Sequence, residues 1–150
     1  MKSSEHCLAL GFAAGAFASF TPFIGFHFLL AAALAFLVRG NLIASAVGTV
    51  VGNPITFPAI WLATYNIGAL TLGTAPRQEV NMEGATEFSI WTDGPYAVAV
   101  NAWASLEPVL LPMCVGAVPL GLFFGVIFYA LVLAGLKSLR RGPQLVRARG

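Results

Sequence analysis

Several polar side chains lie beside prolines or turns within long apolar runs, where they could bind an ion, a small solute or a lipid head group. Proline removes a backbone hydrogen-bond donor and ends or kinks a helix, so each such stretch frees backbone groups next to its polar side chains. The candidate residues for a polar cavity are Thr21, Pro22, His27, Arg39, Asn41, Asn53, Pro54 and Thr56.

His27 is the one histidine between residues 8 and 75, and a histidine side chain titrates near neutral pH. Ionisable residues inside a membrane segment are rare and are candidates for function by default. Next to a helix break, His27 could help to bind an ion or a polar head group. The alternative is that its neutral ring hydrogen-bonds a backbone carbonyl freed by the break, and the sequence leaves both interpretations open.

Arg39 and Asn41 stand between two apolar blocks in the sequence RGN. In one interpretation, Arg39 lies in a cytoplasmic turn and Asn41 caps the following helix. In the other, the Arg39 guanidinium lies at the mouth of a cavity and pairs with phosphate or carboxylate. Thr21, Asn53 and Thr56 would satisfy backbone groups beside the prolines, which does not prevent them from lining a pathway.

No catalytic or metal-binding pattern accompanies these residues in the sequence. Outside residues 76–107 the one acidic side chain is Glu5, and His6 and His27 are the only histidines. Because the sequence shows no nucleophile with a base, no metal cluster and no phosphate-binding loop, we predict neither an enzyme nor a cofactor or metal. The two cysteines fit neither a metal pattern nor a disulfide framework, and no nucleic-acid-binding module is present.

The composition predicts the elements that must position these residues. The chain has 150 residues, of which 58% are hydrophobic and 9% charged, and its mean hydropathy is +0.83. Soluble domains are about one-quarter charged, so a globule of this composition would lack a solvated surface. Three apolar blocks without fixed charges cover residues 8–38, 42–75 and 108–136. We therefore predict an all-α integral membrane protein.

Each apolar block is too long for one straight crossing of a bilayer. A helix rises 1.5 Å per residue, so about 30 residues span roughly 45 Å, whereas the hydrocarbon core is ~30 Å thick. The prolines predict interruptions within residues 21–25, within residues 53–58 and between Pro112 and Pro119. Since lipid cannot hydrogen-bond freed backbone groups, the first two interruptions should face each other or a partner copy.

The distribution of charge predicts the topology. Five basic residues and no acid lie in the tail 137–150, whereas five acidic residues lie in the loop 76–107. The positive-inside rule places the C-terminus in the cytoplasm and the loop outside the bacterial inner membrane. Block 8–38 either crosses the bilayer or enters and returns as a re-entrant hairpin with arms of about 12 residues, and we favour the hairpin. Block 42–75 would be a broken transmembrane segment and block 108–136 a further crossing.

Small residues one helical turn apart predict close helix packing. Glycine pairs with this spacing occur in each block, at Gly11/Gly15, Gly48/Gly52 and Gly121/Gly125.

Aligning Pro22 with Pro54 shows an internal sequence similarity, TPFIGFHFLLA to NPITFPAIWLA, with three identical positions. A true repeat would form a pair of discontinuous helices in corresponding positions, as is typical of transporters, and the sequence leaves the repeat open.

A resemblance to a known family lies in the run GAFASFTPFIGFHFLLAAALAFLVRGNLIASAVGTVVGNPITFPAIW, which is similar to the domain of unknown function 2062 family of bacterial membrane proteins. The resembling elements are F-T-P-F-x-G-x-H, the R-x-N turn and G-T-x-x-x-N-P-x-T-x-P, within residues 15–61 and with weaker similarity to Gly73. That family has no established activity. It is thought to be distantly similar to the DedA-like and small-multidrug-exporter-like families, which implies re-entrant turns at the two proline stretches and a candidate functional arginine at Arg39.

Two functions are consistent with this pattern. The first is a small transporter-like membrane protein, with a polar cavity formed by helix breaks for an ion, small solute or lipid head group. The alternative is a non-transporting accessory or structural subunit of a larger membrane complex. The chain lacks the acidic membrane residues of DedA proteins, so proton coupling through a carboxylate is not expected. We expect membrane lipids as partners, together with further copies of the chain or subunits of a membrane complex, and no nucleic acid.

Overall fold

The computed structural model describes residues 4–23, 25–74 and 90–147, and it describes side chains within residues 4–23, 25–74 and 107–140. Over these ranges the chain is all-helical, which confirms the predicted all-α class. The helices are α1 (Glu5–Ala18), α2 (His27–Leu37), α3 (Leu42–Gly48), α4 (Phe57–Leu72) and α5 (Ile90–Arg147), and a 3-10 turn (Thr49–Val51) extends α3.

Local sequence signals explain where the shorter helices begin and end. The Ser4 hydroxyl accepts the backbone N–H of Cys7 at 3.2 Å and caps α1. Helix α4 has Pro58 in its first turn, where a missing N–H costs little. It ends at Gly73, whose φ of +68° is the left-handed conformation that closes many helices and that glycine adopts without strain.

Helices α1 and α2 form an antiparallel hairpin, and α3 then runs parallel to α1. The backbone N–H of Asn41 donates to the carbonyl of Cys7 at 2.9 Å, so the chain that leaves α2 returns to the first turn of α1. Gly11 lies against the backbone of Asn41, and Gly15 lies against Ser45 and Gly48, so the two backbones touch. This close approach requires residues without bulky side chains on both helices.

Helix α5 packs against both α1 and α4, at different points along its length. Gly121 lies against the ring of Phe17 on α1, and Pro112 lies against Gly68 on α4. The α1–α2 hairpin and α4 therefore follow each other along α5, with residues 52–56 between them. This arrangement brings the middle of the chain to the middle of α5.

The third apolar block is continuous, so the predicted interruption between Pro112 and Pro119 is wrong. Helix α5 passes through both prolines without a break. Each proline removes one backbone hydrogen bond, whereas unwinding the segment would free several backbone groups in apolar surroundings at a greater cost. Packing of Pro112 against Gly68 of α4 also holds this part of α5 in place.

Helix α5 extends on both sides of the predicted crossing 108–136. Helix α5 begins at Ile90 and ends at Arg147, so the second half of the predicted loop 76–107 and most of the predicted tail 137–150 are helical. Helix propagation adds one hydrogen bond for each residue that is fixed, and Leu, Lys and Arg in the tail are good helix formers. The first half of the predicted loop, up to residue 89, lies outside the described residues.

One helix in the described part of the chain is long and apolar enough to cross a membrane. It is the part of α5 from Glu107 to Arg140, with 34 residues, and 17% of its most apolar 18-residue stretch is buried. Helices α1, α2 and α4 have 14, 11 and 16 residues, so each is shorter than a spanning helix. By length, the described part of the chain therefore has one candidate span, which contains block 108–136. Blocks 8–38 and 42–75 form shorter helices.

Candidate functional site

The two interruptions in the first half of the chain, residues 19–26 and 52–56, lie side by side. The fully buried Ser19 hydroxyl donates to the carbonyl of Thr49 at 3.1 Å and so connects the end of α1 with the 3-10 turn after α3. A side chain at Gly52 would meet the side chain of Ser19. The ends of α1 and α3 and the starts of α2 and α4 consequently come together at one place.

His27 is buried at the start of α2, with 8% of its surface exposed. Its Nδ1 accepts the backbone N–H of Gly25 at 3.2 Å, and its ring centroid lies 4.4 Å from that of Phe28 and 6.2 Å from that of Phe57. With Nδ1 as an acceptor, a neutral ring carries its proton on Nε2. His27 therefore satisfies a backbone N–H rather than the carbonyl that the local interpretation predicts.

Asn53 and Thr56 form a closed hydrogen-bond network across the second interruption. The Asn53 carbonyl oxygen Oδ1 accepts the backbone N–H groups of Ile55 at 2.9 Å and Thr56 at 3.1 Å. In return, the Thr56 hydroxyl accepts the N–H of Asn53 at 3.0 Å and donates to the carbonyl of Val51 at 2.7 Å. These two side chains provide the local backbone support that the sequence predicts for them, and Pro54 between them is exposed.

Thr21 and Pro22 end the first helix. The Thr21 hydroxyl donates to the carbonyl of Ala18 at 2.7 Å, which satisfies one of the last free carbonyl groups of α1. Both residues are partly exposed, and Phe20 before them is buried. Thr21 thus supports local backbone, as the sequence predicts for the polar residues beside the prolines.

Arg39 and Asn41 lie in the turn between α2 and α3, far along α1 from the interruptions. The Asn41 side-chain oxygen accepts the backbone N–H of Ala44 at 2.9 Å and caps α3, as one of the two interpretations predicts. Arg39 has a φ of +56° and an exposed side chain, and its carbonyl accepts the thiol of Cys7 at 3.3 Å. The structure therefore separates these two residues from His27, Asn53 and Thr56.

The glycine pairs that the sequence singles out all lie at helix contacts. Gly11 and Gly15 of α1 face Asn41, Ser45 and Gly48, while Gly52 reaches Ser19. Gly121 and Gly125 of α5 lie next to Phe17 and Ala13 of α1.

Sequence reasoning missed the contact between α4 and α5, where Gly68 meets the Pro112 backbone and Gly116 meets the Thr64 backbone. It also missed the fully buried hydroxyl side chains of Ser45, Thr49 and Thr64. The spacing Asn41, Ser45, Thr49, four residues apart, is a signal that could have found two of them, because it places small polar residues on one helix face.

An apolar cluster surrounds the meeting point of the two interruptions. Phe20, Ile60 and Ala117 form its buried centre, and the Phe20 and Phe124 rings stack with their centroids 5.0 Å apart. The indole N–H of Trp61 is buried here without a hydrogen-bond partner among the described residues. Among the residues that the structure describes, no group of three or more histidine, cysteine or acidic residues could hold a metal ion.

Comparison with known proteins places the chain in a family. No curated protein and no solved structure matches it. The family described as uncharacterized protein conserved in bacteria (DUF2062) matches over residues 1–142, well beyond the residues 15–73 that carry the resemblance in the sequence. The chain therefore belongs to the DUF2062 family of uncharacterized bacterial proteins.

Proposed function

We propose that this chain is a small, multi-pass inner-membrane protein with a transporter-like architecture, in which the two helix interruptions form the passage for a polar substrate. The observation that carries the proposal is the side-by-side position of residues 19–26 and 52–56, part-way along α5. Broken backbone at membrane depth is tolerated where protein shelters it or where it lines a wet cavity. Paired discontinuous helices are the arrangement in which many transporters bind substrates and ions.

The apolar surface supports the membrane location. Large hydrophobic side chains are exposed on four helices, with exposed fractions of 80% for Phe36, 78% for Ile43, 64% for Leu62 and 61% for Phe123. Soluble monomers rarely expose contiguous apolar patches larger than a few hundred Å². Together with the 34-residue candidate span, this surface fits lipid better than water.

The lengths and directions of the helices support a topology. With 14 residues, α1 is about 21 Å long and too short to cross a ~30 Å hydrocarbon core. Because α2 returns to the first turn of α1, block 8–38 fits a re-entrant hairpin. Helices α3 and α4 together fit one broken crossing, and α5 fits a straight one. The basic end of α5 then lies on the cytoplasmic side, as the positive-inside rule expects.

The meeting point suits the polar or anionic part of a substrate. Helices α2 and α4 both begin there, and the N-terminus of a helix carries partial positive charge from its unpaired N–H groups. His27 Nε2 adds an N–H donor whenever the ring is neutral and Nδ1 accepts from Gly25. One copy leaves Pro54 and Ile55 exposed, so a passage there needs a further wall, and the proposal includes an assembly of at least two copies.

Cysteine labelling tests the proposal most directly. In a background with Cys7→Ala and Cys114→Ala, we compare Ile55→Cys, in the second interruption, with Phe123→Cys, on α5 at a similar depth. Both native side chains are exposed, at 89% and 61%. A membrane-impermeant maleimide should label the Ile55→Cys variant in the membrane through water that enters the passage. It should leave the Phe123→Cys variant unlabelled, because lipid surrounds that position.

The Ile55→Cys variant, with Leu139→Cys as a second control, shows whether anions enter the passage. Millimolar inorganic phosphate should slow labelling of the Ile55→Cys variant and should not change labelling of Leu139→Cys, which lies at the basic end of α5. If the Ile55→Cys and Phe123→Cys variants are equally unreactive, the interruptions are closed to water and the transporter-like function is rejected. Labelling that phosphate does not slow would reject an anionic substrate group.

A further inference from the structure

An apolar groove lies between the α1–α2 hairpin and the C-terminal half of α5. It has a volume of about 390 Å³, and its lining includes Ala13, Phe17, Leu34, Gly125, Val126 and Tyr129. From Gly121 to Tyr129 it follows α5 for about 12 Å, at 1.5 Å per residue. The groove is almost wholly apolar until it reaches Tyr129.

A polar recess continues from the groove at Tyr129, which lines both. The recess has a volume of about 520 Å³, and its charged lining residues are Glu5, Lys137 and Arg140. Arg140 forms an ion pair with Glu5 at 3.0 Å, and the Tyr129 hydroxyl lies 2.7 Å from Nδ1 of His6. Two cations face one carboxylate, so the recess keeps a net positive charge.

We propose that the groove and the recess together bind one anionic glycerophospholipid. One acyl chain lies in the groove, and the phosphate lies in the recess beside Lys137 and Arg140. The Arg140 side chain is 78% exposed and pairs with Glu5 through Nη1, so other donors of its guanidinium can reach a phosphate oxygen. A hydrophobic partner helix would fill the groove and leave the cations unused, whereas an anionic lipid matches both parts.

The position of the recess agrees with a lipid head group. Lys137 is the first charged residue after the charge-free run 108–136, and Arg140 follows it by one helical turn, so both lie where a spanning helix would reach the membrane surface. Basic side chains at that level attract anionic lipid head groups. This inference uses the membrane location of α5 and does not depend on a substrate passage at the interruptions.

Gly125 gives a way to block the groove without disturbing its walls. A Cβ at Gly125 would meet only the carbonyl of Ala13 at 3.7 Å, an ordinary contact, so a larger side chain can extend into the groove. Gly121 is unsuitable because a Cβ there would collide with the ring of Phe17. Gly135, also on α5, has open space around it and provides the matched control.

The test measures lipid binding to the purified full-length chain in detergent by native mass spectrometry. We expect dioleoylphosphatidylglycerol to bind at least tenfold more tightly than dioleoylphosphatidylcholine, and glycerol 3-phosphate without acyl chains not to bind. Gly125→Leu should abolish retention of the anionic lipid, whereas Gly135→Leu should retain it. Lys137→Gln should weaken binding about fivefold to tenfold, and Lys137→Arg should restore it.

Three results would overturn the inference. Equal binding of the two lipids would mean that the chain collects lipid without regard to charge. Binding of glycerol 3-phosphate as tight as that of the lipid would mean an anion site without a role for the groove. Unchanged binding in both Gly125→Leu and Lys137→Gln would remove the groove and the recess together, and Lys137→Gln is an exposed change that leaves the helix packing intact.

Discussion

At the scale of single residues, Arg39 has a backbone conformation that suits glycine better than arginine. Its φ of +56° is the one positive φ at a non-glycine position among the described residues. It follows α2 in the left-handed closing conformation, and the next N–H, of Gly40, donates to the carbonyl of Ala35 at 2.7 Å. This conformation costs an L-residue about 1–2 kcal/mol, so the backbone alone would favour glycine. An arginine at this position is better explained by a role of its guanidinium.

Replacing Arg39 separates its backbone from its side chain. We expect Arg39→Gly to leave the free energy of unfolding unchanged or raise it by up to about 1 kcal/mol, because relief of strain is partly offset by the added freedom of the unfolded chain. Arg39→Val should lower it by about 1–2 kcal/mol, because a β-branched residue fits the left-handed region poorly. Unfolding of the purified variants in mixed detergent measures both, and a Gly variant less stable than the Val variant would contradict the strain argument.

The other candidate residues show that polar side chains beside prolines first serve the backbone. Asn53 and Thr56 bond to each other's N–H groups, and Thr21 bonds to the end of α1. His27 accepts the N–H of Gly25 with one ring nitrogen. If the proposed passage exists, a substrate would contact the atoms that these bonds leave over, above all His27 Nε2.

At the scale of helices, close approach at small residues determines which elements pack together. Helices α4 and α5 touch where Gly68 meets the backbone of Pro112 and Gly116 meets the backbone of Thr64. In a membrane the hydrophobic effect does not distinguish helix from lipid, so this backbone-to-backbone packing is what holds α4 on α5. The contact occurs although neither glycine has another glycine four residues away.

Substituting one of these glycines should separate the two helices. A Cβ at Gly68 would overlap the carbonyl group of Pro112, so we expect Gly68→Ala to lower the free energy of unfolding by about 1–3 kcal/mol. The control is Gly135→Ala on α5, where a Cβ meets open space. It should raise the free energy of unfolding by up to about 1 kcal/mol, because alanine favours a helix. Unfolding in mixed detergent compares the two, and equal stability of both variants would rule out close packing of α4 on α5.

At the scale of the whole molecule, the first turn of α1 lies against residues 129–140 of α5. Glu5 pairs with Arg140 at 3.0 Å, and His6 lies against Tyr129. The end of α4, at Gly73, lies on the other side of the interruptions, near Pro108 of α5. In a membrane these positions would face opposite sides.

Reporter fusions test this topology. We expect green fluorescent protein fused before Met1 or after Gly150 to fluoresce, because both ends would lie in the cytoplasm, and alkaline phosphatase fused after Thr74 to be active, because that position would lie outside. The physical reason is that a re-entrant hairpin returns the chain to the side from which it came. Active phosphatase fused at the N-terminus would show that block 8–38 crosses the bilayer instead.

Local features of this chain could be read from its sequence because they depend on a residue and its near neighbours. The interruptions at Thr21–Pro22 and Asn53–Pro54 and the cap at Asn41 are of this kind, since proline geometry and short polar side chains act within a turn. The same rule was wrong at Pro112 and Pro119, because packing along α5 outweighs one lost hydrogen bond at each proline.

The sequence by itself determined that the chain is helical, apolar and rich in small residues at helix spacing, and it identified the family. Only the tertiary structure decided that Gly11 and Gly15 pack against α3, that the two interruptions meet, and that Tyr129 joins an apolar groove to a basic recess. The physical reason is the sequence separation over which each effect acts. Hydropathy and backbone preference act over a few residues, whereas these contacts join residues that are tens of positions apart and depend on how whole helices stack.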